Sequence, residues 1–274
     1  VRLELVDILG VEFYPVTLQG ALETIDWMMN QESGRTRLVI TANPVMVMTA
    51  QKDPEFMDIL KRADLIVPDG VGIIWAARKK GLDLPERVTG VELAYGLLGQ
   101  EPSPKIFFLG GKEGVGVRAA ENAKQMFPGA RITGVCHGYF SLDEEHQVVK
   151  TIRDSQSDIL FCAMGSPKQE KFIWKYRHEL GAKVGIGLGG VLDVLAGDKK
   201  RAPEYIQKMG LEWLYRLILE PSRIKQDMVL LQFAAKVLAT GSKDKTSSGD
   251  GGIEDGGLCE RERGMHNSKN KGNR

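Results

Sequence analysis

The chain has 274 residues, 42% of them hydrophobic, and its 37 Lys and Arg against 36 Asp and Glu leave a net charge of +1. That apolar content suffices for one sizeable core with an appendage, and so even a charge lacks the wide basic face that a nucleic-acid duplex needs. Three cysteines, Cys136, Cys162 and Cys259, without CxxC spacing exclude a disulfide framework and favour a reducing, cytosolic setting.

At the start, Glu4 and Asp7 stand where a secretory signal would carry a basic residue and then an apolar run, so no signal is read there. Helix-like and strand-like stretches then alternate. The strand-like ones are short, apolar and β-branched, as buried parallel strands are; they cover residues 37–41, 65–67, 105–109, 131–135, 158–163 and 183–187. Helices are predicted at residues 18–30, 44–51, 54–62, 71–80, 91–98, 114–127, 142–155 and 167–180. Three of them open with a capping residue followed by proline, Asn43-Pro44, Asp53-Pro54 and Ser166-Pro167. The rhythm predicts an α/β fold over residues 1–198, a Rossmann-like, mostly parallel sheet with helices on both faces.

After Gly197 the pattern changes to two helical stretches, residues 203–220 and 222–240, divided by Pro221 and forming an appendage over residues 199–240. Residues 1–198 carry a net charge of −4 and residues 199–241 carry +4. The basic segment is rich in Trp, Tyr and Leu, a composition suited to an anionic membrane surface. Its longest apolar run, residues 228–238, is interrupted by Gln232 and Lys236 and falls short of the ~20 residues of a membrane span. Residues 241–274, rich in Gly, Ser and charge, are predicted to be disordered.

Ligands of open α/β sheets bind at the carboxyl ends of the strands, and four such ends carry suggestive groups. Thr41 and Asn43 offer a hydroxyl and an amide to a sugar or ribose, although Asn43 equally suits the cap of the helix begun by Pro44. Asp69, in Val67-Pro68-Asp69-Gly70, is a carboxylate at a strand edge that fits a general base or the cap of the next helix. Gly110 and Gly111 open a glycine-rich turn, residues 109–116, of the kind that seats a phosphate on backbone N–H groups. The order is neither G-x-G-x-x-G nor a P-loop, so a diphosphate without a nicotinamide is the better fit. Gly189 and Gly190, with Asp193 close behind, make a second glycine turn, and Asp193 equally suits a helix cap. Gln169 fits a capping box with Ser166.

His137, His146, His178 and His266 are scattered and no Asp-x-Asp occurs, so neither a metal nor another cofactor is expected. A departing diphosphate then needs cations, for which Arg87, Arg201, Arg216 and Arg223 are the candidates.

Thr41-Ala42-Asn43-Pro44, Val67-Pro68-Asp69-Gly70, Pro85-Glu86-Arg87-Val88-Thr89-Gly90, His137-Gly138-Tyr139-Phe140, residues 165–170, residues 189–197, Arg201-Ala202-Pro203 and residues 210–217 together resemble the WecG/TagA/CpsF family of bacterial glycosyltransferases, in collinear order over residues 5–238. The resemblance implies a Rossmann-like core closed by a C-terminal helical appendage at the inner face of the membrane. It is closest in pattern to the branch that moves N-acetylmannosamine, with inversion, from a UDP-sugar donor to a polyprenyl-diphosphate-sugar acceptor, undecaprenyl-diphosphate-GlcNAc, in teichoic acid synthesis. Asp69 then matches the general base, Thr41 and Asn43 sugar and acceptor contacts, Gln169 and Asp193 the nucleotide-sugar pocket, and Arg87 an active-site cation. Arg216 and Arg223 match appendage arginines that stabilise the leaving diphosphate, while Gln226 stands where a further basic residue is expected. The competing reading is a nucleotide- or NAD-binding module without transfer chemistry. No nucleic-acid partner is expected, and the sequence leaves room for a homo-oligomer.

Overall fold

The computed structural model describes residues 4–199, residue 203 and residues 224–241. Six strands, β3 (Arg37–Ala42), β4 (Leu65–Pro68), β5 (Lys105–Gly110), β6 (Arg131–Cys136), β7 (Ile159–Ala163) and β8 (Val184–Gly187), form a parallel sheet in the order β4-β3-β8-β7-β5-β6. Before it comes an antiparallel hairpin, β1 (Val6–Ile8) and β2 (Val11–Phe13), turned by Leu9 and Gly10, both at positive φ. Positive φ at both turn positions matches the twist of a two-residue hairpin. The sequence reading passed over this hairpin.

Helices cover both faces of the sheet, because the central strands are apolar on both sides. Val39, Val67, Phe108, Phe161 and Ile186 point into one core, with α1 (Leu18–Asn30), α5 (Gly90–Leu98), α6 (Val115–Met126) and the short α9 (Val191–Leu195). Leu38, Ile40, Ile66, Phe107 and Leu160 point into the other. That second core also takes the hairpin, α2 (Pro44–Ala50), α3 (Pro54–Arg62), α4 (Val71–Lys79), α7 (Glu145–Asp154), α8 (Lys168–Tyr176) and α10 (Ile224–Gly241). The alternation between cores along each strand is the period-2 pattern of a pleated sheet.

Strand β8 departs from it usefully, presenting Gly185 and Gly187 toward α8. A Cβ at Gly185 would sit 2.7 Å from the Ile173 side chain, so these glycines let α8 cross close to the middle of the sheet. Helix α10 packs on α2 and α4 through Phe233 and Val237, each 2% exposed, and Lys236 reaches Gln51 Oε1 at 3.0 Å.

Asn43 and Asp53 cap α2 and α3, accepting from the N–H groups of Met46 and Phe56. Ser166 does not cap α8: that helix begins at Lys168 behind Pro167, and no side chain caps it. At the amino edge, opposite the ligand edge, a hollow of about 200 Å³ is lined by Arg35, Arg37, Arg177 and His178 among others. Two of these arginines serve helix ends, Arg37 donating to Met28 O and Gln31 O and Arg177 to Trp174 O. Carbonyl ends of helices attract cations, so this basic cluster has a structural purpose.

Candidate active site

The register places the strand ends side by side: Ala42 opposite Pro68, Ile40 and Cys162 opposite Gly187, and Gly110 opposite Ala163. The strand ends and the loops and helix starts that follow therefore share one edge, and together they carry Asp69, Thr41, Asn43, Gly189, Gly190, Gln169, Gly110 and Gly111.

Asp69 follows β4, half-buried, with its N–H on Ala42 O at 2.9 Å. It is not the cap of α4. The cap position belongs to Gly70, at φ 107°, and makes no side-chain bond, so of the two roles open to Asp69 capping is removed. The stretch bearing Arg87 lies along β4, held by Val88 N to Pro68 O at 2.9 Å, with Arg87 half-buried and 4.0 Å from Glu92 Oε1. Glu92 in turn closes a capping box with Thr89 at the head of α5.

Thr41 is 6% exposed, and its hydroxyl donates weakly to Gly187 O at 3.4 Å. Asn43 Oδ1 is taken by the cap bond to Met46 N at 3.1 Å, so what it can offer a ligand is its Nδ2 donor group. Capping and ligand contact are compatible in this residue.

Gln169 is 3% exposed and links two loops. Its Oε1 accepts from Gly165 N at 3.1 Å, in the loop after β7, and from Gly189 N at 3.0 Å, in the loop after β8. Its Nε2 donates to Glu170 Oε1 at 2.6 Å. The expected capping box with Ser166 does not form, because the amide reaches past Ser166 to Gly165 and across to the next strand.

Asp193 is not a cap either. It lies inside α9, which starts at Val191 behind Gly190, and its carboxylate pairs with Lys199 Nζ at 2.8 Å. Gly110 has φ 140°, and a Cβ there would sit 2.3 Å from Ala163 O; only glycine fits. Gly111 N donates to that same carbonyl at 3.2 Å. This N–H is thus engaged across the sheet where the two strands end. Gly138 N closes onto Gly111 O at 3.0 Å, and Lys168 Nζ onto Gly138 O at 3.2 Å, its charge over the Phe140 ring.

Arg201, Arg216 and Arg223 lie outside the described residues. Among the described residues, no three His, Cys, Asp or Glu side chains converge into a set that could hold a metal ion, and no helix is long and apolar enough to cross a membrane.

One buried group escaped the sequence reading. Glu170 is 0% exposed, on the same inward stripe of α8 as Phe172, Ile173 and Tyr176. A charged residue on an apolar stripe at helical spacing was the available signal.

A Rossmann-like parallel sheet with its hydroxyl, amide and carboxylate groups gathered at the carboxyl edge belongs to the class of α/β proteins that bind ligands there. The model of the Glycosyl transferase WecG/TagA/CpsF family matches residues 6–247; the chain belongs to that family and is a glycosyltransferase. It is 36% identical over 211 residues, 76% of this chain and 82% of the relative, to the N-acetylglucosaminyldiphosphoundecaprenol N-acetyl-beta-D-mannosaminyltransferase of Bacillus subtilis (strain 168). Proteins of the same name from Bacillus spizizenii and Staphylococcus aureus (strain MRSA252) are each 35% identical, covering 76% and 80% of this chain and 80% and 86% of their own lengths.

Proposed function

We propose that the enzyme transfers N-acetylmannosamine from a UDP-linked donor to undecaprenyl-diphosphate-linked GlcNAc, inverting the anomeric carbon, as a step in wall teichoic acid or related surface-polysaccharide assembly. Asp69 takes the proton from the acceptor hydroxyl as its oxygen attacks the anomeric carbon. The bond from that carbon to the β-phosphate oxygen breaks, and UDP departs with the electron pair. Arg87, with Arg201, Arg216 and Arg223 of the appendage, neutralises the charge that builds up on it. Thr41 and the Asn43 amide hold sugar hydroxyls, while Gln169 and the Gly189-Gly190 turn shape the donor pocket with Asp193.

The observation that carries this reading is the position of Asp69 at a strand end beside Thr41 and Asn43, where Gly70 and not Asp69 holds the cap of α4, in a chain whose relatives bear that transferase name. Family membership also decides against a nucleotide-binding module without chemistry. The enzyme works at the inner face of the membrane, with the appendage against the anionic surface. Met228, Leu231 and Leu238 of α10, 57%, 73% and 55% exposed, support this, because at helical spacing they fall on the side away from Phe233 and Val237.

Asp69→Asn tests the assignment. Turnover should fall by about 10²–10⁴-fold, the usual worth of a general base, while UDP affinity and melting temperature stay at wild-type values. Wild-type turnover in this variant would remove Asp69 from the role.

A further inference from the structure

We infer that Glu170 is a positioning residue: its buried carboxyl holds the Gln169 amide in the one pose that ties the loops after β7 and β8 together at the floor of the site. The link to donor binding rests on the function proposed above; the geometry does not.

Gln169 Oε1 collects two glycine N–H groups, Gly165 N at 3.1 Å and Gly189 N at 3.0 Å. In that pose the other end of the amide, Nε2, points into a region where Gln169 is 3% exposed and water cannot serve it. Glu170 Oε1 is the acceptor there, at 2.6 Å. Without it, a buried donor goes unpaired. The amide then gains by swinging out toward solvent, and both glycine N–H groups are released with it. Gly187 completes the seat, since a Cβ on it would sit 2.6 Å from Glu170 Oε1 and 2.8 Å from Gln169 Nε2.

The second carboxyl oxygen, Oε2, is buried and has no partner among the described residues. A negative charge in that position would be stranded, at far greater cost than an uncharged carboxyl group left unpaired. Burial pushes the Glu170 carboxyl up, against the hydrogen bond from Gln169 that favours the charged form. The titratable group facing it from β7 is Cys162, whose thiol burial pushes well up. Lys168 on α8 is spent on Gly138 O and Phe140, and β8 and β3 contribute only Gly187 and the Thr41 hydroxyl. A carboxyl raised above its unfolded value of about 4.3 stabilises the fold fully below that value. Its contribution is lost as pH climbs through the folded-state value.

The test compares Glu170→Met, similar in length but without an acceptor, with Glu170→Gln, which keeps one. Gln169→Ala and the Gln169→Ala/Glu170→Met pair complete the set. In ¹⁵N-labelled full-length protein, the Gln169 side-chain amide is the signal lost in Gln169→Ala. In Glu170→Met its hydrogen exchange should accelerate by at least about tenfold, and the KM for donor should rise about tenfold, the effect of ~1.4 kcal/mol, with kcat within threefold on the same estimate. Glu170→Gln should restore both and flatten the decline of melting temperature as pH rises from the unfolded carboxyl value of about 4.3. Glu170→Met should add nothing in the Gln169→Ala background. Wild-type amide exchange in Glu170→Met, or a Glu170→Gln variant as impaired as Glu170→Met, would overturn the proposal. Should wild-type protein fail to bind UDP while the amide and pH results hold, the donor assignment falls and the positioning role stands.

Discussion

Replacing Gly187 with alanine places one methyl group where the structure has no room for it. The new Cβ would lie 2.6 Å from Glu170 Oε1, 2.8 Å from Gln169 Nε2 and 3.3 Å from Gln169 Cδ. Both side chains are buried to 3% or less, so the methyl group is housed only by straining the pair and forcing the amide out of its pose. Overpacking of this kind costs about 1–3 kcal/mol. Displacing the amide from Gly165 N and Gly189 N adds about 1–2 kcal/mol for the two hydrogen bonds lost. A total of about 2–5 kcal/mol corresponds to a melting point lowered by roughly 5–15 °C in a domain of this size. Differential scanning calorimetry of Gly187→Ala checks this, with Gly129→Ala as the control, since a Cβ at Gly129 meets nothing within 4 Å. The same variant should bind UDP more weakly. Melting within about 2 °C of wild type, against the several degrees expected at this chain length, would refute the claim that the Gln169–Glu170 pair is confined.

Asp64 accepts both Arg35 guanidinium nitrogens, at 2.8 and 2.7 Å, and Leu38 N at 2.8 Å, tying the end of α3 to the start of β3. Asp64→Ala should cost about 1–3 kcal/mol in urea unfolding, discounted because the Arg35 side chain is 33% exposed; no change would mean the pair is solvated. On α10, the double substitution Leu231→Glu/Leu238→Glu should weaken sedimentation with anionic vesicles, and raising salt should weaken wild-type binding. Both leucines are exposed, so melting should not move, and unchanged pelleting would end the case for this face as a membrane contact.

The sheet was legible because its strands are short apolar β-branched runs between amphipathic helices. All six were placed within a residue or so, and α1 and α3 were placed to the residue. The hairpin was not, since its turn is Leu9-Gly10 and lacks the Asn-Gly or Asp-Gly signature. Its alternation, Val6, Ile8, Val11 and Phe13 inward, was the signal to use. Capping rules held where the side chain preceded a proline at the first helical position, as at Asn43 and Asp53. They failed at Ser166, where Pro167 itself takes the cap position, and at Gln169 and Asp193, whose side chains are claimed by Gly189 across the sheet and Lys199 beyond α9. The carboxyl-edge location of the candidate residues followed from the strand pattern, whereas which of them touch depends on the strand order β4-β3-β8-β7, which sequence periodicity does not encode.

The transfer reaction itself is the most direct test. Purified protein is incubated with UDP-N-acetylmannosamine and a short-chain polyprenyl-diphosphate-GlcNAc in anionic vesicles. The product is read by mass and by the one-bond carbon–proton coupling at the new anomeric centre. The account predicts acceptor extended by one N-acetylhexosamine in β linkage, with UDP released in equal amount. Acceptor left unextended, or a linkage that retains the donor configuration, would contradict it.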